Sequence, residues 1–316
     1  MPVIHVLDAS RAVNVVASLL DEKQKAAFVD KNLVDQERLR EQFGGKQKRP
    51  LVPYEEAKRR RSVIEWKAED LSRPSFTGPK QLLSVPIEDL APYIDWSFFF
   101  TAWELPGRYP RILNDEKYGS AARELFAHGQ AMLKRIIDEK LLTANAVYGF
   151  WPAHADGDDI VLFTDDTKQT EVARFPMLRE QNSRGEKDPC LCLADFVAPK
   201  ETGLLDHVGA FAVTGGLGAE ELAKKFEAEH DDYSAILVKV IADRLAEAFA
   251  EYLHARARKE WGYEPEQLSN EDLIAEKFRG IRPAFGYPAC PDHRPKFALF
   301  DLLGARAIGM DLPESL

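Results

Sequence analysis

Residues 282–293 read Arg-Pro-Ala-Phe-Gly-Tyr-Pro-Ala-Cys-Pro-Asp-His, a composition that excludes both a helix and a central strand. Proline lacks the backbone N–H that both structures use, and three prolines stand here with one glycine. A loop this stiff has little conformational freedom left to lose when a ligand binds. Because it also carries an arginine, a tyrosine, a cysteine and a histidine, it is a good candidate for holding a small anionic or zwitterionic ligand.

The N-terminal residues predict a single strand-turn-helix unit. Val3–Leu7 is an apolar run of the β type, Asp8-Ala-Ser10 offers a helix cap, and Arg11–Leu20 has helical spacing. A strand of a parallel sheet pairs with neighbouring strands and is buried on both faces. No further strand follows directly here. This unit therefore cannot bury its strand by itself.

The next stretch is rich in charge. Gln36–Gln42 predicts a helix that breaks at Gly44-Gly45, and Lys46–Pro50 is a basic linker. Lys58–Arg61 adds four consecutive cations. These cations could contact an acidic redox partner or a neighbouring domain, or they could be a solvated helix face; the sequence leaves both interpretations open.

The body of the chain predicts strands and helices in blocks that do not alternate regularly. Predicted strands cover 146–151, 159–163, 171–175, 191–197 and 207–214. Predicted helices cover 121–139, 219–229, 233–257 and 297–303, and another begins at a cap, Asn270, and ends at Gly280. The pair Gly215-Gly216 is interpreted as the turn that ends its strand. Such blocks are typical of an α+β fold with an antiparallel sheet.

Composition excludes several classes of protein. The chain has 316 residues, 45% hydrophobic and 30% charged, with a net charge of −10, which does not favour nucleic-acid binding. It contains no apolar run long enough to span a membrane and no secretory signal pattern at its N-terminus.

Three cysteines fit a reducing compartment, so we expect a cytoplasmic protein. Cys190-Leu-Cys192 is predicted to lie on a strand with both thiols on one face, and we interpret the thiols as structural rather than as half of a metal site. Cys290 and His293 could together bind a metal, but the intervening Pro291 favours a structural loop.

Several motifs resemble one family, in the family's order along nearly the whole chain. The most specific is Arg282-x-x-x-Gly286-Tyr287 followed by Pro-Ala-Cys-Pro. The others are Tyr93-Ile-Asp-Trp96, Tyr109-Pro-Arg-Ile112, Leu193-Ala-Asp-Phe-Val-Ala-Pro199, Gly209-Ala-Phe-Ala-Val-Thr-Gly-Gly216, His230-Asp-Asp-Tyr233 and Ala242-Asp-Arg-Leu-Ala-Glu-Ala-Phe249. This set resembles the S-adenosylmethionine-binding activation domain of cobalamin-dependent methionine synthase.

The resemblance implies a fold and a domain arrangement. The fold is α+β, with a twisted, mainly antiparallel sheet and packed helices, preceded by a remnant β-α unit of a Rossmann-like cobalamin domain. Residues 1–31 are then the end of the cobalamin-binding domain, 32–66 a charged helix and linker, and 67–316 the activation domain. In the family a further Ser-Gly-Trp-Tyr-Phe-Ser strand follows the segment matching Gly309–Ser315, so we expect a C-terminally truncated domain.

The resemblance also implies a binding site for S-adenosylmethionine. Arg282 would hold the ligand's carboxylate with two parallel hydrogen bonds, and Asp95 would accept from its ammonium group. Ala284 and Gly286 would offer backbone groups at close approach, and Tyr287 would pack its ring against the ligand. An acidic residue of the family falls on Glu247. No residue is expected to act as a catalytic acid or base, and no metal ligand is expected.

The implied function is the reactivation of cobalamin in methionine biosynthesis. Flavodoxin or a flavoprotein reductase would supply one electron, and S-adenosylmethionine the methyl group. Ala9 matches a position that touches the cobalamin tail, whereas the Asp-x-His-x-x-Gly loop that ligates cobalt is not in this sequence. We therefore expect the isolated chain not to make methionine. Two alternatives stay open: a protein that docks on a cobalamin domain without binding ligand, and a sensor that binds S-adenosylmethionine without methyl transfer.

Overall fold

The computed structural model describes residues 4, 9–44, 51–182, 185, 188–263, 268–269, 272 and 277–313, except the side chains of 9–14 and 42–44. The chain divides into two compact units, one of residues 1–53 with 181–186 and one of residues 54–180 with 187–316. The division predicted at 31/32 falls inside one continuous helix, and the predicted domain limits remain a prediction.

The first unit contains the helices α1 (Ala9–Leu20) and α2 (Lys25–Gly44). They confirm the helices predicted over 11–20 and 36–42, and α2 is longer than its prediction. The strand predicted over 3–7 lies outside the described residues apart from Ile4, as do the cap residue Asp8 and the linker 46–50.

The second unit contains a five-stranded sheet in which every pair of strands is antiparallel. Its strands are β1 (Gly78–Leu82), β2 (Thr143–Asp156), β3 (Asp159–Phe163), β4 (Glu171–Pro176) and β5 (Asp206–Leu217). The central strand β2 pairs with β5 along one side, while β1 and β3 share its other side, and β4 follows β3. This topology confirms the predicted α+β fold.

Helices cover the sheet. They are α3 (Tyr54–Arg59), α4 (Ile87–Leu90), α5 (Trp96–Ala102), α6 (Gly119–Asp138), α7 (Ala219–Ala228), α8 (Asp232–Trp261) and α9 (Pro295–Leu303). The last four confirm predicted helices. The helix predicted from Asn270 falls mostly outside the described residues; residue 277 is in no regular element and residues 278–280 are bends.

Strand β2 is buried on both faces, which explains its almost unbroken apolar sequence. Tyr148 and Phe150 point into a core shared with α5, α6, α7 and α8, while Val147 and Trp151 point into a second core that includes Cys192 and Leu303. The alternation follows directly from the two-residue period of a strand.

The strand predicted over 191–197 is wrong. Leu193–Phe196 forms a 3-10 helix, because the Asp195 carboxylate accepts from the backbone N–H of Cys192 at 3.3 Å and also pairs with the buried Arg179 guanidinium at 2.7 Å. The apolar run is buried, but its backbone is turned by these polar contacts rather than extended. The thiols of Cys190 and Cys192 are both buried and free.

The turn predicted at Gly215-Gly216 is also wrong, since β5 continues through both residues to Leu217. A Cβ on Gly215 would lie 2.7 Å from the backbone carbon of Leu245, and one on Gly216 would lie 2.8 Å from the Cβ of Ala242. The two glycines therefore allow α8 to pack directly against the strand.

Candidate functional site

Helix α8 is the element that organises the candidate site. It begins at the cap residue Asp231, whose carboxylate accepts from the backbone N–H of Ser234 at 3.0 Å, and it ends at Gly262, which adopts a φ of +79°. One face is buried against β5 and the neighbouring helices by residues such as Leu245 and Phe249.

The loop 282–293 is neither helix nor strand, as its prolines predict, and short hydrogen bonds hold it in shape. The backbone N–H of Gly286 donates to the carbonyl of Cys290 at 2.9 Å, and the N–H of Cys290 donates to the carbonyl of Tyr287 at 2.9 Å. The buried thiol of Cys290 donates to the carbonyl of Ala284 at 3.0 Å. Cys290 therefore acts as a structural residue of the loop.

Gly286 is required by the loop's own packing. Its φ is +103°, which disfavours a side chain, and an added Cβ would lie 2.6 Å from Cε1 of His293. The family resemblance predicts a glycine here because a ligand approaches closely; the His293 ring supplies a second reason within the chain. On the same loop, Ala284 is exposed, and Tyr287 is 62% exposed.

Arg282 forms an ion pair with Glu251 on α8 through its Nη2 and the Oε1 of the carboxylate. The side chains are only 19% and 15% exposed, so the pair is largely shielded from water. The Nη1 atom of Arg282 and the Oε2 atom of Glu251 are buried and have no hydrogen-bond partner among the residues that the structure describes. A buried donor without a partner costs about 1–3 kcal/mol, so this guanidinium is suited to gain an acceptor.

Asp95 is the N-cap of α5, because its carboxylate accepts from the backbone N–H of Ser97 at 2.8 Å. Its neighbours contact α8: the ring of Tyr93 lies 5.7 Å from that of Tyr252, and the Arg244 guanidinium lies 5.5 Å from the ring of Phe98. Arg282 and the segment around Asp95 thus share α8 as a neighbour. Within the described residues, no hydrogen bond joins Asp95 to Arg282.

Glu247 is exposed on α8, one helical turn before Glu251. Ala9 is the first residue of α1, and its side chain lies outside the description. The ligand-binding roles of Asp95, Glu247, Arg282, Ala284, Gly286, Tyr287 and Ala9 remain predictions. Among the described residues, no group of three or more His, Cys, Asp and Glu side chains could hold a metal ion.

Glu251 and His254 were not singled out by the sequence analysis. Burial, with smaller contributions from the Arg282 and Arg258 charges, lowers the pKa of His254 to about 3, so its imidazole is neutral at neutral pH. The signal that could have revealed these residues is their spacing from Glu247, which places all three on one face of a helix.

The fold and this site together define a domain in which an antiparallel sheet carries a long helix, α8, facing a proline-rich loop. A family model described as "Vitamin B12 dependent methionine synthase, activation domain" matches residues 86–316. A solved structure of the MetH reactivation domain bound to AdoHcy is 48% identical, with a TM-score of 0.79, over 84% of this chain and 82% of that one. The chain therefore belongs to the family of activation domains of vitamin B12-dependent methionine synthase, which confirms the resemblance.

None of the described helices has both the length and the apolar character needed to cross a membrane.

Proposed function

We propose that this chain binds S-adenosylmethionine and supports the reductive methylation that returns an inactive cobalamin to methylcobalamin. The observation that carries the proposal is the match over residues 86–316, together with the bound AdoHcy of the 48% identical reactivation domain. AdoHcy, S-adenosylhomocysteine, is what remains of S-adenosylmethionine after it gives up its methyl group.

The proposed ligand has a carboxylate and an ammonium group at its amino-acid end. Arg282 would hold the carboxylate, and its buried, unpartnered Nη1 supports that role. Asp95 would accept a hydrogen bond from the ammonium group. An ionised carboxylate has about four acceptor sites, and the hydrogen bond from Ser97 uses one of them.

The remaining residues would place the adenosyl part and the sulfonium. The backbone of Ala284 and Gly286 and the exposed ring of Tyr287 would line the ligand, with Glu247 as an acidic group nearby. A methyl group leaves a sulfonium with a neutral leaving group, so the residues need to align the ligand rather than transfer a proton.

Cobalamin supplies a nucleophilic cobalt centre in its reduced form, and the chain's own part is to bind and orient the methyl donor. The partners in this proposal are the cobalamin-binding domain of methionine synthase and an electron donor, flavodoxin or a flavoprotein reductase. Residues 1–31 would be the end of that cobalamin-binding domain, with Ala9 at the cofactor tail. Three free, buried cysteines support a cytoplasmic location.

Calorimetric titration with S-adenosylhomocysteine tests the binding step. The wild-type chain should bind, and Arg282→Ala should bind about 10- to 100-fold more weakly, since a charge-assisted hydrogen bond contributes about 1.5–3 kcal/mol. Arg294→Ala is the matched control, because Arg294 is 77% exposed and pairs with Asp292. No binding by the wild type, or equal affinity for Arg282→Ala, would contradict the proposal.

A second titration separates the proposal from the docking and sensor alternatives. A separately prepared cobalamin-binding domain is mixed with the chain, with and without S-adenosylmethionine and a reductant. Formation of methylcobalamin supports reactivation. A complex that forms regardless of S-adenosylmethionine supports docking alone, and ligand binding without methyl transfer supports a sensor.

A further inference from the structure

Helix α8 carries a line of polar residues that faces the segment leading into the 282–293 loop. Glu247, Glu251, His254 and Arg258 follow one another at spacings of four, three and four residues, which places them on one face of the helix. This line extends beyond the single acidic position, Glu247, that the resemblance indicates.

Three contacts fasten the loop segment to this line. Nη1 of Arg258 donates to the carbonyl of Arg279 at 2.6 Å, and the His254 ring lies 4.6 Å from the ring of Phe278, edge to face. The Glu251 carboxylate holds the Arg282 guanidinium. Glu251 is thus the residue through which the helix holds the Arg282 side chain.

Within the described part of the chain, the guanidinium is held at one nitrogen. Nη2 is engaged by Glu251, while Nη1 is buried and finds no hydrogen-bond partner in the described ranges. A free arginine side chain loses rotamer entropy when it binds, and an arginine fixed in advance loses less when it binds a carboxylate.

No other described carboxylate forms an ion pair with Arg282. His254, one turn after Glu251, is a neutral imidazole at neutral pH and supplies no charge to hold the guanidinium. Glu247, one turn before Glu251, is exposed, and it makes no hydrogen bond or ion pair within the described part of the chain. These differences assign the support of Arg282 to Glu251 and leave Glu247 available to a ligand.

We propose that Glu251 is the positioning residue of the ligand site: it holds Nη2 of Arg282 and leaves Nη1 to the carboxylate of an adenosyl amino acid. This inference rests on the proposed function and adds to it a residue that acts through Arg282. It predicts that Glu251 affects only ligands that have an amino-acid end.

The test is a double-mutant cycle on the full chain with two ligands. S-adenosylhomocysteine has the amino-acid end, whereas 5′-methylthioadenosine lacks it. Glu251→Gln should weaken S-adenosylhomocysteine binding about 10-fold and leave 5′-methylthioadenosine unchanged. In the Arg282→Ala background, Glu251→Gln should cause no further loss, because the residue acts through the arginine.

Two further variants keep the test decisive. Asp243→Asn removes a carboxylate that is 69% exposed and paired with Arg244 on the same helix, and it should change the affinity less than 2-fold. Glu251→Asp retains the charge on a shorter side chain and should recover part of the lost affinity, which covers the case in which Glu251→Gln folds poorly.

The outcomes separate this inference from the proposed function. If the wild type does not bind S-adenosylhomocysteine, the proposed function fails and this inference fails with it. If the wild type binds but Glu251→Gln binds equally well, or loses affinity equally for both ligands, only the positioning role is overturned.

Discussion

The Asp95 carboxylate accepts a hydrogen bond from the backbone N–H of Ser97 at 2.8 Å and so caps helix α5. A residue with this contact has a structural reason to be aspartate, independent of any ligand. The cap and the proposed ammonium contact can be separated, because asparagine caps a helix about as well as aspartate but carries no charge.

Asp95→Asn should keep the free energy of unfolding within about 0.5 kcal/mol of the wild type and weaken S-adenosylhomocysteine binding about 10-fold. Asp95→Ala should lose both the cap, at about 1 kcal/mol, and the affinity. Urea unfolding and calorimetry on the same samples measure the two effects. If Asp95→Asn binds as tightly as the wild type, Asp95 is a cap alone.

Gly215→Ala should destabilise the domain by about 1–3 kcal/mol, because the new methyl group would lie 2.7 Å from the Leu245 backbone and force α8 away from β5. Gly304→Ala is the comparison: it meets no atom within 4 Å, and its φ of +66° predicts a cost of about 1–2 kcal/mol from the backbone alone. Gly215→Ala should also weaken ligand binding by displacing α8, whereas Gly304→Ala should not. A Gly215→Ala chain with wild-type stability would show that α8 does not need this close approach.

Arg179→Met should destabilise the domain by about 3–5 kcal/mol, since it leaves the carboxylates of Asp158 and Asp195 largely buried without their partner. Arg174→Met is the matched control. Arg174 also pairs with several carboxylates, but it is 38% exposed, so its loss should leave the free energy of unfolding close to that of the wild type. Thermal or urea unfolding of both variants gives the comparison. An equal loss of stability in the two variants would contradict the claim that the buried ion pairs of Arg179 matter more than the exposed pairs of Arg174.

His254 makes the stability of the chain depend on pH. Its pKa is lowered from 6.5 to about 3 by burial and by the nearby Arg282 and Arg258, so the unfolded chain binds a proton that the folded chain does not between these values. Well above pH 6.5 neither state binds this proton, so His254 does not reduce the free energy of unfolding. Below pH 6.5 the free energy of unfolding falls by up to about 1.4 kcal/mol for each pH unit. From pH 6.5 to 5.0 the wild type should therefore lose up to about 2 kcal/mol more than His254→Gln, with the difference measured by urea unfolding at each pH. If the free energy of unfolding of the two chains changed equally with pH, the conclusion that His254 is a buried, neutral imidazole would be wrong.

Much of the fold could be predicted because local patterns agree with the final packing. Helix α8 has regular apolar spacing and strand β3 is a short apolar run after a turn, and both occur where the sequence predicts them. The prolines of 282–293 exclude regular structure whatever the surroundings, and this loop is irregular as expected.

The failures have long-range causes. The 3-10 helix at Leu193–Phe196 depends on Asp195 pairing with Arg179, and Gly215 is explained by a helix that follows it in the chain. Strand β1 was missed because Gly78–Leu82 is a polar edge strand that contains a proline, and only its pairing with β2 reveals it. The ion-pair partner of Arg282 could not be predicted either. Glu247 and Glu251 are four residues apart and lie on the same face of the helix, so only the three-dimensional structure shows that Glu251 forms the pair.

The most direct test of the proposed function is transfer of an isotopically labelled methyl group. A separately prepared cobalamin-binding domain holding cob(II)alamin is reduced in the presence of S-adenosylmethionine labelled at the methyl carbon, with and without this chain. We predict that label appears on the cobalamin when the wild-type chain is present and falls at least about 10-fold with Arg282→Ala at subsaturating ligand. Label that appears equally without the chain, or that does not appear with it, would contradict the proposed function.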